Sequence, residues 1–361
     1  MSGFQAFFAA LPDPRAANVR HRLDEILLVA LIATLCGAQT CVDIATFARA
    51  KLPLLRRFMR LAHGAPSHDT FSRVFQALDP EAFEDAFHRF MAAFAHARDN
   101  ARAAAPNSPR IIALDGKSVR RAVEAAHPTT PLHLVTAWAT EQRLVLAQRH
   151  ARNRSEVSAA REILALLDLR GTCVTADALH GSRATASAIL EGGGDYALIL
   201  KGNRGPLHDA ARDRLANLDP RKAARTIETE HGRYEERCAW VCEVPGWAEK
   251  YDFPGLRAVA RIDGLRRSTD APDTATGCQI RYVALSRVLA PAEALRVVRS
   301  YWSIENDQHW LLDVAFHEDD ILTRNENAAR NIALIRRMAL NNLRRDPTKA
   351  SLHTKMQMAG W

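Results

Sequence analysis

The hydrophobic period changes once along this chain, and that change forces two kinds of architecture onto one polypeptide. From Arg22 to about Ala104 the spacing is helical: Leu23, Ile26, Leu27, Ala30, Leu31 and Thr34 share one helix face, and Gly37 follows as a stop. Val42–Ala50 and the run past Pro53 to Leu61 continue the pattern. Gly64, Pro66 and Ser67 form a turn with Ser67 as a candidate N-cap, and Phe71, Val74, Phe75 and Leu78 line the next helix. Two helices around a short Gly-containing turn match a DNA-reading unit and a plain helical bundle equally well.

Asp99 to Pro109 is Ala, Asn, Ser and Pro, a linker composition. Beyond it come short buried-strand runs at 111–114, 133–140 and 144–148, a helix from Ser155 to Leu167, a strand at 172–176, a helix at 183–190 and a strand at 196–200. Neighbouring strands followed by alternating helix and strand predict a mixed α/β sheet with helices on both faces. Strand-like segments at 225–230, 234–244, 256–262 and 279–284, separated by turns such as Pro245-Gly246 and Asp263-Gly264, read as a β insertion within that domain. Helices resume at Pro291 and run to about Arg345, broken near 316–323.

With 361 residues, two or three domains are expected. Apolar residues at 47% and charged residues at 25% exclude a disordered or collagen-like chain. Forty-nine Lys and Arg against forty-one Asp and Glu leave a net charge of +8, which suits a polyanionic partner. The longest apolar stretch, 26–38, falls short of the roughly 20 residues that span a bilayer and follows Asp24 and Glu25 with no secretion-signal frame, so a cytoplasmic, nucleoid-associated location is expected. Six cysteines without Cys-x-x-Cys or zinc-like spacing read as reduced and mostly buried thiols.

Three acids stand out by context. Asp115 ends the strand run 111–114, Asp177 ends 172–176, and Glu305 lies in a helical segment. A carboxylate at a strand exit is held by rigid backbone at the sheet rim, where α/β folds collect ligands. Two such carboxylates and a third from a helix can hold two divalent ions about 3.5–4 Å apart, suited to displacement at a phosphodiester. Each acid could also merely cap a helix or end a strand.

Seven segments occur in one order: Asp-Pro-Arg at 13–15, Pro-Ser-His-Asp-Thr-Phe at 66–71, Leu-Asp-Gly-Lys at 114–117, Thr-Ala-Asp-Ala-Leu-His at 175–180, the Gly-Gly-Asp-Tyr run at 193–203, His-Gly-Arg-Tyr-Glu-Glu-Arg at 231–237, and Tyr-Trp-Ser-Ile-Glu-Asn at the head of 301–314. Together they resemble the DDE class of bacterial insertion-sequence transposases, in the H-repeat-associated subgroup, over nearly the whole chain. The resemblance implies an α/β, ribonuclease-H-like catalytic core at 105–361, interrupted by a β insertion at about 221–288 and ending in a basic helix, after an all-α, DNA-end-binding domain at 1–104. It implies Asp115, Asp177 and Glu305 as catalytic residues and as ligands of two Mg²⁺ (or Mn²⁺) ions. It further implies cleavage at the terminal inverted repeats, strand transfer into target DNA, and a homodimer in the synaptic complex. The alternatives are a catalytically silent DNA-binding protein derived from a transposase and a structure-selective nuclease of the same fold.

Basic and polar residues near these acids are candidate DNA contacts: Lys117, Arg120 and Arg121 after the first acid; Lys201, Asn203 and Arg204 after the strand at 196; His231, Arg233 and Arg237 on the β insertion; His309 one turn beyond Glu305; and Arg336 and Arg337 on the last helix. Solvated surface charge explains each almost as well, and His309 could equally be a core or surface histidine. Trp302 and Trp310 are expected to pack their helix onto the core. The signature Tyr-x2-Arg-x3-Glu-x6-Lys of related transposases is not met, since Val298, Tyr301 and Leu312 stand at its other positions.

Overall fold

The computed structural model describes residues 8–15, 19–99, 109–125, 129–202, 205–230, 233–268 and 275–360. Asn203, Arg204 and His231 lie outside them. The chain divides into two compact units: unit 1 comprises residues 1–106, 116–154 and 305–361, and unit 2 comprises 107–115 and 155–304.

In unit 1, helices α1 (Leu23–Leu35), α2 (Cys41–Ala50), α3 (Leu52–Leu55), α4 (His68–Ala77) and α5 (Pro80–Asp99) follow the helical period. Ser67 caps α4, its side chain accepting from the Thr70 amide at 3.2 Å. Thr40 and Asp43 form a reciprocal capping box on α2. The second half of strand β1 (Arg110–Val123), with β2 (Pro131–Ala139) and β3 (Leu144–His150), supplies a small sheet in the order β3-β2-β1, β2 and β3 being antiparallel.

The long helix α12 (Glu326–Arg345) is central to this unit, packing against α1, α4, α5, β3 and the final helix α13 (Leu352–Gly360). Its apolar residues join Val119, Ala122, Leu132 and Leu134 of the sheet in one core. Asn341 exchanges two 2.9 Å hydrogen bonds with the backbone of Val145, completing an edge strand as a neighbouring strand would. The helices before residue 104 therefore form no compact unit of their own, because α12, from the far end of the chain, supplies the surface they pack on.

Unit 2 holds the first half of β1 with β4 (Thr172–Ala176), β5 (Asp195–Leu200), β6 (Ala224–Glu230), β7 (Arg233–Glu243), β8 (Ala258–Ser268) and β9 (Ala275–Leu285). Their order is β1-β4-β5-β9-β8-β7-β6; β1, β4 and β5 run parallel and the rest antiparallel. It is a mixed α/β sheet. The segments expected as an insertion are not a separate layer: β9 pairs with β5 from Ala197↔Leu285 to Leu200↔Tyr282 and carries the sheet onward.

Every residue of β4 is buried, as a central strand covered on both faces requires. Helix α10 (Pro291–Ser303) covers one face, where Leu295, Val297 and Val298 pack on Ile111, Cys173, Ala260 and Val283. Helices α6 (Glu156–Leu166), α7 (Arg183–Glu191) and α8 (Gly205–Arg214) complete the unit, with the one-turn helix α9 (Trp247–Lys250) between β7 and β8. Among the described residues no helix is long and apolar enough to cross a membrane. All six cysteines are free thiols, but only Cys173 is buried; Cys278 is exposed and the other four are half-buried.

Candidate functional site

Asp115 and Asp177 are brought together by strand register. β1 and β4 pair in parallel from Arg110↔Thr172 to Leu114↔Ala176, so Asp115 and Asp177 each follow directly on the last pair of two neighbouring strands. Neighbouring strands lie about 4.8 Å apart, within reach of one shared cation. One expectation needs correction: Asp115 does not end its strand, since β1 continues to Val123. What ends there is β4, so Asp115 is a mid-strand residue that has just lost its neighbour. By strand alternation it shares the face of Ile111, the face covered by α10.

The loop after β4 is built to hold Asp177. Its Oδ1 accepts the backbone N–H groups of Leu179 at 2.8 Å and His180 at 3.3 Å, an Asx turn that fixes the carboxylate just beyond the strand. His180 is fully buried, with Nε2 3.2 Å from Glu156 Oε2. A Cβ on Gly181 would stand 2.4 Å from the carbonyl oxygen of Ile199, so only glycine lets this loop lie against β5. Ser182 then caps α7 by accepting from the Thr185 amide.

Glu305 belongs to unit 1, in a π-helical turn, Ile304–His309, between α10 and the short helix α11 (Trp310–Val314). A π turn is uncommon and often marks a functional site. Buried Gln308 donates to Thr136 Oγ1 of β2 at 3.1 Å. Asp307 accepts from Arg143 at 2.6 Å and from Arg344 of α12 at 3.2 Å, while Arg344 also donates to the Asp307 carbonyl at 2.9 Å. His309 is held neutral, its pKa pushed down to about 3 by burial and by the positive charges of Arg337 and Lys117. It can therefore meet a phosphate near neutral pH only as an uncharged donor. Among the described residues no group of three or more His, Cys, Asp or Glu is gathered at metal-binding spacing. The donor chemistry of the Asp115–Asp177 pair, hard oxygens on adjacent rigid strands, fits Mg²⁺ or Mn²⁺ as two of its ligands.

Several candidate DNA contacts are buried or paired with carboxylates. Lys117 is buried, its ammonium 2.7 Å from Asp313, 3.1 Å from Asp319 and 3.6 Å from Glu318. Asp313 sits above the ordinary carboxylate range because it is partly buried and has Asp319 and Glu318 beside it, despite the Lys117 bond. Arg336 and Arg337 are also interior, and Arg337 Nη1 donates to Glu318 at 2.6 Å. The basic helix expected to lie along a duplex thus turns Arg336 and Arg337 into the core, where Glu318 meets Arg337, while Arg345 is exposed.

Arg120 and Arg121 are exposed beside Asp319 and Asp320, Lys201 is exposed, and Arg237 is engaged by Glu235 and Glu228. Arg233 begins β7, opposite Glu230. Trp302 lies under Arg281 at 4.9 Å, but Trp310 is 58% exposed and does not pack as expected. Sequence reading missed Asp307, Gln308, Arg143 and Thr136, which hold the Glu305 turn; an acid two residues beyond a candidate acid was the available signal.

The family models place this chain among the DDE transposases. Residues 106–342 match the model of the transposase DDE domain, and residues 5–91 match the domain associated with it. An uncharacterised protein encoded beside dhlA in Xanthobacter autotrophicus is 43% identical over 72% of this chain and 88% of its own length. From Escherichia coli K12, the putative protein YbfL is 32% identical and the H repeat-associated putative transposase YhhI 31% identical, each over 97% of this chain and 92% of the relative. A cryo-EM synaptic complex of piggyBac transposase with hairpin DNA aligns over 99% of this chain and 75% of that one, at 9% identity and a TM-score of 0.43.

Proposed function

We propose, from the premise that this chain belongs to the DDE transposase family, that it cuts DNA at the ends of its own element and joins the freed 3′ hydroxyls to target DNA. The observation that supports the reading is the parallel register of β1 and β4, whose last pair, Leu114↔Ala176, is followed on each segment by an aspartate, Asp115 and Asp177. Family membership supports a transposase; the paired carboxylates support a metal-dependent phosphoryl transfer within a ribonuclease-H-like core.

Asp115 and Asp177 would hold the divalent ions, with Glu305 as the third ligand. A bound Mg²⁺ pair stabilises charge on the attacking and leaving oxygens and lowers the pKa of the attacking water. The chain's own residues supply positioning. The Asx turn fixes the Asp177 carboxylate just beyond β4, Gly181 lets that loop seat, and Asp307 with Gln308 fixes the turn that carries Glu305. In the first step water attacks a phosphodiester, the bond to the 3′ oxygen breaks, and that oxygen leaves as a hydroxyl. In the second the 3′ hydroxyl attacks a target phosphodiester and displaces another 3′ oxygen. Joining two ends to one target calls for at least two copies of the chain in the working complex.

Purified protein, Mg²⁺ and a supercoiled plasmid bearing the element's inverted repeats test this. Cleavage should appear only with metal, and Asp115→Ala, Asp177→Ala and Glu305→Ala should each reduce it on the order of a thousandfold. Equal cleavage by wild type and the triple variant would overturn the reading. Metal-dependent cleavage indifferent to the inverted repeats would make the protein a structure-selective nuclease instead.

A further inference from the structure

A groove of about 470 Å³ runs between β6 and α10 in unit 2, and its chemistry is one-sided. Arg225 and Thr226 line it from β6, and Arg296, Arg299, Ser300 and Ser303 from α10. The four α10 residues recur at spacings of three and four, so they form one stripe that ends at the last residue before the π turn. Both serines bond back to carbonyls of their own helix, Ser300 to Arg296 and Ser303 to Ser300. Thr226 Oγ1 is a buried hydroxyl with no hydrogen-bond partner among the described residues. A buried polar atom without a partner costs stability unless something in the groove completes it.

Two carboxylates meet this positive lining: Glu236 accepts from Arg225 Nε at 2.7 Å, and Glu228 takes Arg299. Both terminal nitrogens of Arg299 are bound by the two oxygens of Glu228, two positions along β6 from Thr226. That bidentate fork has the geometry with which arginine takes a phosphate. Glu228 also touches Arg237 at 3.4 Å, and these two arginines hold its carboxyl below the usual range. The pair is solvent-accessible, the Arg299 side chain being 42% exposed, so exchange of one anion for another needs no unfolding.

We propose that the β6–α10 groove seats a backbone phosphate of the DNA strand, and that Glu228 is a placeholder anion which that phosphate displaces from Arg299. Arg296 faces the same groove, and the Thr226 hydroxyl donates to a phosphate oxygen there. The carboxylate keeps Arg299 extended and charge-balanced without DNA, and it lowers affinity for any short anion that cannot outcompete a bidentate partner. This inference rests on the reading of the protein as a DNA-processing enzyme and adds a strand-positioning surface to it.

The test is equilibrium binding of the full chain to a fluorescent duplex carrying the element's end, in EDTA so that no cleavage occurs, at several salt concentrations. Glu228→Gln, nearly isosteric, should tighten binding up to about fivefold, the worth of an exposed ion pair. Arg299→Ala should weaken binding and reduce the slope of log K against log salt by about one. Thr226→Val should weaken binding with the salt slope unchanged. Unchanged or weaker binding by Glu228→Gln, with circular dichroism showing the native fold, overturns the placeholder. Unaltered binding by Arg299→Ala and Thr226→Val removes the groove. Either failure leaves the cleavage assay of the three acids untouched, so the two readings fail separately. Inorganic phosphate at millimolar concentration should compete with DNA better in Glu228→Gln than in wild type, and equal competition counts against the proposal.

Discussion

Replacing Glu318 by Gln should cost about 3–5 kcal/mol of stability, far more than a one-atom change suggests. Glu318 and Arg337 are both fully buried, 2.6 Å apart, and Glu318 also faces Lys117 at 3.6 Å. Lys117 keeps Asp313 and Asp319 when Glu318 is neutralised. Arg337 keeps one bond, from Nη1 to the Ala333 carbonyl at 3.1 Å, and its Nε and Nη2 already lack partners among the described residues. The loss is therefore that of a buried guanidinium left without its counterion, rather than that of one hydrogen bond.

The control is Arg120→Ala, whose partner Asp319 lies 3.1 Å away but whose side chain is 82% exposed; it should cost less than about 1 kcal/mol. Urea unfolding of the full chain, followed by circular dichroism and tryptophan fluorescence, measures both. The double variant Glu318→Gln/Arg337→Met should cost less than the sum of its single changes, because each removes the other's stranded partner. Burial alone would raise the Glu318 carboxyl, but Arg337, Lys117 and Arg336 outweigh it and leave its pKa lowered. A lowered carboxyl stabilises fully above its unfolded value and loses that contribution as pH falls through the folded one. Wild type and Glu318→Gln should accordingly converge in acid, below about pH 4.5. A Glu318→Gln penalty no larger than that of Arg120→Ala at pH 7 would refute the reasoning.

Three further outcomes follow from the site. Gly181→Ala should destabilise unit 2 by about 1–3 kcal/mol and slow DNA cleavage, because its Cβ would meet a backbone carbonyl that cannot rotate away; wild-type stability and rate would show that the loop does not need the close approach. Asp307→Asn keeps the shape of the Glu305 turn but removes the charge that engages Arg143 and Arg344, and should lower the cleavage rate about tenfold, roughly 1.4 kcal/mol; an unchanged single-turnover rate would deny Asp307 its positioning role. With a maleimide at pH 7.5, exposed Cys278 should label within minutes while Cys173, buried and with its thiol pushed up to about 12, stays unmodified, as peptide mass mapping would show.

The elements were legible wherever a single period ran long enough. Helices α1, α2 and α4, the Ser67 cap and the strands β2 to β5 follow from spacing, because each buries a face whose pattern is local, whereas the helix expected from Pro53 to Leu61 stops at Leu55 and α13 gave no readable signal. The extent of β1 was not legible. After Leu114 its partner strand ends, and Asp-Gly-Lys-Ser looks like a loop although the backbone remains extended to Val123. The two aspartates could be singled out as strand-end acids, but their adjacency depends on a pairing 62 positions apart in the chain, fixed only by the parallel register.

Charged residues were the least legible. A sequence displays Arg336, Arg337 and Lys117 as cations and says nothing of where their counterions fold. Charged residues are mostly exposed, and that expectation failed here because distant segments supply partners in the interior: Glu318 for Arg337, Asp313 and Asp319 for Lys117, and the Gln39 carbonyl for Arg336 at 3.5 Å. Trp310 failed in the opposite sense: its size argues for packing, yet the helix that carries it is a single turn and a half with one buried side, taken by Leu312.

Three ion-paired arginines of α12 have a spacing that argues for a purpose beyond stability. Arg330, Arg337 and Arg344 recur every seven residues, which on an α-helix is two turns with a drift of only about 20°, so they form one stripe roughly 21 Å long. Each meets a carboxylate on a different segment of unit 1: Arg330 reaches Glu84 of α5 at 3.2 Å, Arg337 reaches Glu318 at 2.6 Å, and Arg344 reaches Asp307 of the π turn at 3.2 Å. Three ion pairs at fixed intervals oppose sliding of the helix, because a shift of one residue turns the stripe by about 100° and strands all three pairs together. The helix thus sets a register between the first helices of the chain and the turn that carries Glu305. That explains why arginines of a basic helix face the interior. It also ties the placement of the third proposed catalytic acid to a contact made by α5 more than two hundred residues earlier.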